Sequence, residues 1–174
     1  MKKALSVSVA ILIFIFAATG CEKQIIGERT PPPVPEKFSS TVEAVYCDTT
    51  IAALFTQNSF DDFSVKLLSP EILTPLTVTY TNGVCRLNYD GLEFEADLTR
   101  FPQTEFGTLL THAISDIKSD IDITKTYNEG IWTYSGSSER GIFTMTRDAE
   151  SGAWLEFEIE GAPLHIVFKD FKSS

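Results

Sequence analysis

Side chains able to act as acids, bases or nucleophiles are sparse in this chain of 174 residues. Of the two histidines, His112 lies off the apolar stripe of a predicted helix, and His165 alternates out of the apolar face of a predicted strand. Both are expected at the surface. The sequence holds no Gly-x-Ser-x-Gly, His-Glu-x-x-His, P-loop or dinucleotide-binding motif. We therefore predict no catalytic residues and a protein that is not an enzyme.

Carboxylates could form a metal site at two places: Asp116 with Asp120 and Asp122, and Asp148 with Glu150. Neither group has the spacing of a calcium-binding EF-hand loop. The second group, up to Gly152, is more simply read as a hairpin loop closed by glycine. The sequence therefore predicts neither a bound metal nor a cofactor.

The chain begins with a pattern typical of an export signal. Lys2 and Lys3 precede an apolar run over residues 4–18, and small residues then lead to Cys21. The alternatives are an ordinary signal peptide and a transmembrane helix. The run is short for a transmembrane helix, and no stop-transfer charges follow it. Small residues directly before a cysteine resemble the lipobox of bacterial lipoproteins. The resemblance implies a lipoprotein signal peptide over residues 1–20 and Cys21 as the lipidated first residue of the mature chain.

A lipid on Cys21 would place the protein outside the cytoplasm, anchored to a bacterial membrane, and two acyl chains make such attachment stable. The following residue, Glu22, is not the aspartate that holds Gram-negative lipoproteins at the inner membrane. An outer-membrane address and the cell membrane of a single-membrane bacterium both stay open.

The charge balance limits the partners. Lys+Arg 14 against Asp+Glu 24 gives a formal net charge of -10. Removing residues 1–20 takes away two lysines and no acids, so the mature chain would carry 12 − 24 = −12. Nucleic acids and anionic membrane surfaces attract basic proteins. We therefore expect no nucleic-acid partner, and attachment to the membrane through the lipid.

Cys47 and Cys85 could form a disulfide, because an extracytoplasmic protein folds in an oxidising compartment. Cys85 falls on the apolar face of its predicted strand, whereas Cys47 is out of phase with the apolar residues before it. Two unpaired thiols are the favoured alternative to the bridge.

Residues 21–37 have no apolar periodicity and contain the run Pro31-Pro32-Pro33-Val34-Pro35. Such a run favours polyproline II, a semi-rigid and extended conformation. It predicts a tether between the lipidated cysteine and one folded domain over residues 38–174, a length that suits a single core.

Period-two alternation dominates the predicted domain. Asn82-Gly83 and Asp90-Gly91 are strong two-residue hairpin signals. Folding at both turns gives a three-stranded meander over residues 76–96, in which every apolar residue falls on one face and Arg86 lies opposite Glu95. Three strands before this meander and four at the end of the chain have similar alternation. Gln57-Asn58-Ser59 is expected to form the turn between the second and third strands. Polar residues near 119–122 and 127–130 predict a connection without strands.

One stretch has helical spacing within a predicted helix over Pro102–Lys118, and its apolar stripe is Phe106, Leu109, Leu110, Ala113, Ile114 and Ile117. A block of strands, one helix and a second block of strands predict an α+β fold. We expect a curved antiparallel sheet, an open half-barrel of about nine to ten strands, with one main helix packed on its concave face.

The order of these features resembles small bacterial lipoproteins with the LolA/LppX lipoprotein-carrier fold. The likeness rests on Ser69-Pro70-Glu71, the meander from Tyr80 to Leu92, the helix led by Pro102, and the ending from Asp148 to Phe171. Proteins with this fold carry lipids or acylated proteins in an apolar cavity, or sense such ligands for a partner. The resemblance therefore implies noncatalytic binding of a lipid or an acyl chain between the sheet and the helix.

The strand and helix phases predict which apolar side chains would contact such a ligand: Tyr80, Leu87, Tyr89, Phe94, Phe106, Leu110, Phe157 and Phe168. Aromatic side chains line apolar pockets, but they also fill the space between a sheet and a helix. A filled core therefore stays open as the alternative. The protein would then be an interaction or sensor module that docks on another envelope protein.

Overall fold

Strands account for most of the fold. A computed structural model describes residues 29–46, 49–95, 102–162 and 164–173, and within these ranges it has eleven antiparallel strands and one long helix. Residues 31–174 form one compact unit, and Arg29 and Thr30 are the only described residues before it. The predicted signal peptide, Cys21 and Cys47 lie outside the described residues. No helix in the described ranges has the length and hydropathy needed to cross a bilayer.

The strands form two blocks that flank the helix along the chain. The first block consists of β1 Phe38–Tyr46, β2 Thr49–Ser59, β3 Asp62–Ser69, β4 Leu76–Thr81, β5 Val84–Tyr89 and β6 Leu92–Glu95. The helix, α1, spans Pro102–Ser119, one residue beyond its predicted end. The second block consists of β7 Thr124–Asn128, β8 Ile131–Ser138, β9 Gly141–Asp148, β10 Trp154–Ile159 and β11 Leu164–Ser173. A single 3-10 turn, Glu71–Leu73, precedes β4.

The two blocks join through the first and last strands. Across the sheet the order is β6-β5-β4-β3-β2-β1-β11-β10-β9-β8-β7, so β6 and β7 are the edge strands and the sheet is not closed. β1 and β11 pair from Phe38 opposite Ser173 to Tyr46 opposite Leu164. The sequence-based expectation of a large antiparallel sheet with one helix is confirmed, with eleven strands in place of about nine to ten.

The central meander has the register that its two turns predict. Asn82 and Gly83 have φ of 50° and 84°, and Asp90 and Gly91 have φ of 50° and 82°, as a type I′ turn requires. Val78 therefore pairs with Leu87, Leu87 pairs with Phe94, and Arg86 lies opposite Glu95. The Arg86 Nη2 atom is 4.0 Å from Glu95 Oε1, and both side chains are exposed, so this ion pair contributes little stability.

Two local predictions are wrong. Residues 124–128 form the edge strand β7 rather than a connection without strands. The strand was not predicted because its residues are alternately exposed and only half-buried, as at Lys125 and Tyr127, so the sequence lacks a clear apolar alternation. The turn expected at residues 57–59 lies further along, because β2 continues through Gln57 to Ser59. Gln57 is buried, and its Nε2 donates to the Glu36 carbonyl oxygen at 3.0 Å.

The helix packs on one face of the sheet, which we call the inner face. Its predicted apolar stripe is buried at Phe106, Leu110, Ala113, Ile114 and Ile117. Burial of one large apolar side chain stabilises a protein by roughly 1.5–3 kcal/mol, so this stripe is the main reason that the helix stays on the sheet. The approach is close at Gly107, because a Cβ atom there would lie 2.7 Å from the Phe63 ring of β3.

Candidate functional site

The predicted ligand face divides into a buried part and an exposed part. Five of its eight side chains are buried in the core: Leu87, Phe106, Leu110, Phe157 and Phe168. Tyr80 is half-buried, and Tyr89 and Phe94 are exposed. The five buried side chains therefore pack into the core, and the apolar surface that remains accessible among the eight lies at one end of the sheet.

A line of neighbouring aromatic rings crosses the inner face from β11 to β4. Successive ring centroids are 5.2 Å apart for Phe171 and Phe38, 5.6 Å for Phe38 and Phe55, 5.7 Å for Phe55 and Phe63, and 5.1 Å for Phe63 and Tyr80. Such spacings are typical of favourable aromatic pairs. The line joins β11 to the first four strands of the first block, and it ends at the half-buried Tyr80.

Exposure rises abruptly along one register row of the inner face. Val65, Val78, Leu87 and Phe94 are paired in succession across β3, β4, β5 and β6. Their exposed fractions are 0%, 1%, 3% and 48%. The described cover of the inner face therefore stops between β5 and β6.

The side chains beyond that boundary form a small apolar surface, which we call the open end. It consists of Tyr89, Leu92 and Phe94, with exposed fractions of 37%, 68% and 48%. The Tyr89 hydroxyl donates to the carbonyl oxygen of Ile72 at 3.2 Å, and Ile72 is itself an exposed apolar side chain. Tyr89 of β5 and Leu92 and Phe94 of the edge strand β6 thus face solvent together on the inner side of the sheet.

A groove of about 430 Å³ runs beside the helix. Its lining comes from α1 and from the end of β8: Thr108, Leu109, His112, Ala113, Asp116, Ser137, Ser138 and Glu139. A second groove of about 400 Å³ shares Asp116 and Ser137 with the first. Six of the eight residues that line the first groove are polar, but apolar atoms provide most of its accessible lining surface.

The residues weighed for catalysis and metal binding lie apart. His112 is exposed in the first groove, and His165 Nε2 on β11 is 3.9 Å from Glu156 Oε2. Asp120 Oδ1 forms an ion pair with Lys125 Nζ at 2.7 Å. Within the described ranges, no three His, Cys, Asp or Glu side chains are placed to hold a metal ion.

Asp148 is part of the hairpin loop that its sequence predicts. Its Oδ1 accepts hydrogen bonds from the Ser151 amide at 2.7 Å and from the Ser151 hydroxyl at 2.6 Å. These bonds lower the pKa of the Asp148 carboxyl, because they stabilise its charged form. The carboxylate is thus engaged in closing the turn.

Cys85 carries a free, buried thiol, and burial raises the pKa of this thiol. Cys47 lies outside the described residues, directly after β1. The alternative of a disulfide between Cys47 and Cys85 therefore stays a prediction.

Sequence reasoning gave no role to Arg147 of β9, whose side chain is buried. Its guanidinium binds the carbonyl oxygens of Pro32 and Pro33, so this part of the predicted tether lies against the domain. A signal was present in the sequence, because Arg147 follows Phe143 and Met145 in the period-two phase of an inward-facing strand.

Comparison with known proteins shows a similarity of fold and none of sequence family. No protein-family model matches the sequence, and no curated protein matches it. The structure is similar to an uncharacterised conserved protein from Thermus thermophilus, with a TM-score of 0.50 and 11% sequence identity over 81% of this chain and 80% of that chain. It also aligns with a LolA superfamily protein from Nitrosomonas europaea, with a TM-score of 0.41 and 9% identity over 83% of this chain and 88% of that one.

Proposed function

We propose that this chain is a membrane-anchored extracytoplasmic lipoprotein that binds an apolar ligand, a lipid or an acyl chain, at the open end of its inner face. Binding is noncatalytic. The observation that supports this function is the row in which Val65, Val78 and Leu87 are buried while the register-paired Phe94 is 48% exposed. Exposed neighbouring apolar side chains on a soluble domain mark a surface that something else covers.

The proposed ligand position differs from the one that the sequence favours. Leu110 and Ile114 of α1 are fully buried against the sheet, so the ligand extends from the flank of the helix toward β6 instead of lying beneath the helix. Ligand binding there would bury Tyr89, Leu92 and Phe94, which are the accessible remainder of the inner face.

The shape that would receive the ligand is a half-barrel. The helix contacts β3 and β8, which are fourth and tenth in the strand order. At about 4.8 Å per strand, a flat sheet would separate these strands by roughly 29 Å, whereas a helix with its side chains is about 10–12 Å wide. Curvature of the sheet around α1 accounts for both contacts and makes the inner face concave.

Phe94→Glu tests ligand binding at the open end. We expect the affinity for oleate to fall at least tenfold, because a charge replaces a side chain whose burial contributes roughly 1.5–3 kcal/mol, and about 1.4 kcal/mol is a factor of ten. Titration calorimetry with oleate measures the affinity, and mass spectrometry of the purified protein identifies any lipid that co-purifies.

Ile142→Glu is the matched control for this variant. Ile142 is 53% exposed and alternates with the inward-facing Phe143, so it lies on the opposite face of the sheet. We expect its affinity for oleate to equal that of the parent protein. A parent protein that neither takes up oleate nor co-purifies with lipid contradicts the ligand-binding proposal.

Cys21→Ser tests the anchor. Lipid attachment requires the cysteine thiol, and the sequence around Cys21 supports its modification. We expect the parent protein to be found in the membrane fraction with an acylated N-terminal peptide in its mass spectrum, and the serine variant to lack that acylation. An unmodified Cys21 in a chain that keeps residues 1–20 would overturn the lipoprotein assignment.

A second candidate function is protein docking at the sheet edge. β6 is an edge strand, and its exposed Leu92 and Phe94 lie beside backbone groups that have no further strand neighbour in the described part of the chain. Cross-linking from position 92 to an envelope protein, in a protein that binds no lipid, would favour this function over ligand binding.

A further inference from the structure

Arg147 is a cation inside the fold. The residue is 3% exposed and projects from β9 to the inner side, in phase with the buried Phe143 and Met145. Its guanidinium carbon lies 4.9 Å from the ring centre of Trp154, which is also buried. Burial lowers the pKa of Arg147, because it disfavours the charged form of the guanidinium.

Backbone carbonyl groups satisfy this buried charge. Nε donates to the Gly152 carbonyl oxygen at 2.6 Å, Nη1 to that of Pro32 at 2.8 Å, and Nη2 to that of Pro33 at 2.9 Å. No carboxylate is among the described partners of Arg147. A buried charge is costly unless it is hydrogen-bonded, so loss of the two proline carbonyls would leave Arg147 with the Gly152 carbonyl and the neighbouring Tyr134 side chain as its polar partners.

The same N-terminal segment is held at a second point. Gln57, which is buried near the end of β2, donates from Nε2 to the Glu36 carbonyl oxygen at 3.0 Å. Between the two points, Val34 packs partly buried against the hydrophobic core. We call residues 32–36 the strap. It connects inward-facing side chains of β9 and β2, which are ninth and fifth in the strand order.

Gly152 leaves the room that this arrangement needs. Its φ is +70°, and a Cβ atom there would lie 2.9 Å from Arg147 Nη2 and 3.7 Å from the Pro32 Cβ. Two side chains next to the strap contacts also keep polar atoms without a partner: the Gln57 Oε1 and Trp154 Nε1 atoms are buried and make no hydrogen bond in the described structure. Buried polar atoms normally have a hydrogen-bond partner, so the hydrogen-bonding capacity of this region is not fully used while the strap is in place.

We propose that the strap is a latch, held by Arg147 and Gln57, which closes one end of the inner face and can be released as a unit. Release removes the Pro32 and Pro33 carbonyl oxygens from Arg147 and opens the core near Val34. The proposal goes beyond ligand binding at the open end, which involves β5 and β6 and none of these residues.

Trypsin cleavage after Lys37 reports release of the strap, and cleavage after Lys66 in β3 reports opening of the sheet. In the full chain, Arg147→Met is expected to raise the cleavage rate after Lys37 at least tenfold with less than a twofold change after Lys66. Arg147→Lys should act in the same direction, because an ammonium group lacks the planar fork that reaches three carbonyl oxygens. Arg86→Met removes an exposed arginine of β5 and should leave both rates unchanged.

Two results would overturn the latch. Equal increases after Lys37 and Lys66 would show that Arg147 supports the whole core, and unchanged cleavage after Lys37 would show that the strap is held by other contacts. Should the methionine variant fail to fold, Val34→Ala tests the strap without touching Arg147. A several-fold increase restricted to Lys37 supports the latch, and its absence in a folded Val34→Ala protein contradicts it.

Discussion

Phe55→Ala is expected to lower the free energy of unfolding by about 3–5 kcal/mol, the usual cost of truncating a buried phenylalanine. Phe55 has no exposed surface, and its ring lies between those of Phe38 and Phe63, with ring centroids 5.6 Å and 5.7 Å away. Its loss leaves a cavity in the line of rings that connects β1, β2 and β3. Urea denaturation followed by circular dichroism measures the change, which is a large fraction of the roughly 5–15 kcal/mol typical of a domain.

Phe94→Ala is the matched substitution for this measurement. Phe94 is the same residue type on the same face, but it is 48% exposed on an edge strand. We expect a loss of stability below about 1 kcal/mol, together with weaker oleate binding. A similar loss of stability in both variants would mean that the open end is packed like the core, and it would remove the basis of the proposed binding site.

Leu110→Asp is expected to abolish the fold. Leu110 lies in the middle of the buried stripe of α1 and has no exposed surface. Replacing it removes a core side chain, at a cost of about 2–5 kcal/mol, and leaves a carboxylate without a partner among apolar groups. The combined loss is on the order of the total stability of a domain. Circular dichroism and the chemical shift dispersion of the protein amides report whether native structure remains.

His112→Asp provides the control on the same helix. His112 is exposed, two residues along the chain, and the new carboxylate would lie one turn before Asp116. Repulsion between like charges at that spacing costs only a few tenths of a kcal/mol, roughly 0.2–0.5. A folded Leu110→Asp protein with near-parental stability would show that the helix is dispensable for the sheet.

Local signals account for what the sequence could predict. The register of the meander follows from Asn82-Gly83 and Asp90-Gly91, because each two-residue turn fixes the pairing of the strands beside it. The buried stripe of α1 follows from the helical spacing of its apolar residues. The close approach of the helix to the sheet at Gly107 becomes evident only in the structure. In these cases the information lies within about twenty residues of the element concerned.

Features that depend on distant partners were not predictable in the same way. Whether an apolar strand residue is covered depends on where the helix lies, so the phases alone give Leu87 and Phe94 the same role although only Leu87 is buried. Nothing local indicates that Pro32 and Pro33 would meet Arg147, because 115 and 114 residues separate them along the chain. Strand β7 was missed for a different reason, since an edge position removes most of the apolar signal.

The position of β11 between β1 and β10 also has a consequence for how the chain folds. β1 to β6 can pair in order along the chain, because each hairpin is local, whereas the two blocks join only when β11 pairs with β1. The Ser40 hydroxyl, for example, donates to the carbonyl oxygen of Lys169, which lies 129 residues later. Contacts of such long separation slow folding, and until β11 pairs, the free flank of β1 is an unprotected strand edge at which two chains could associate.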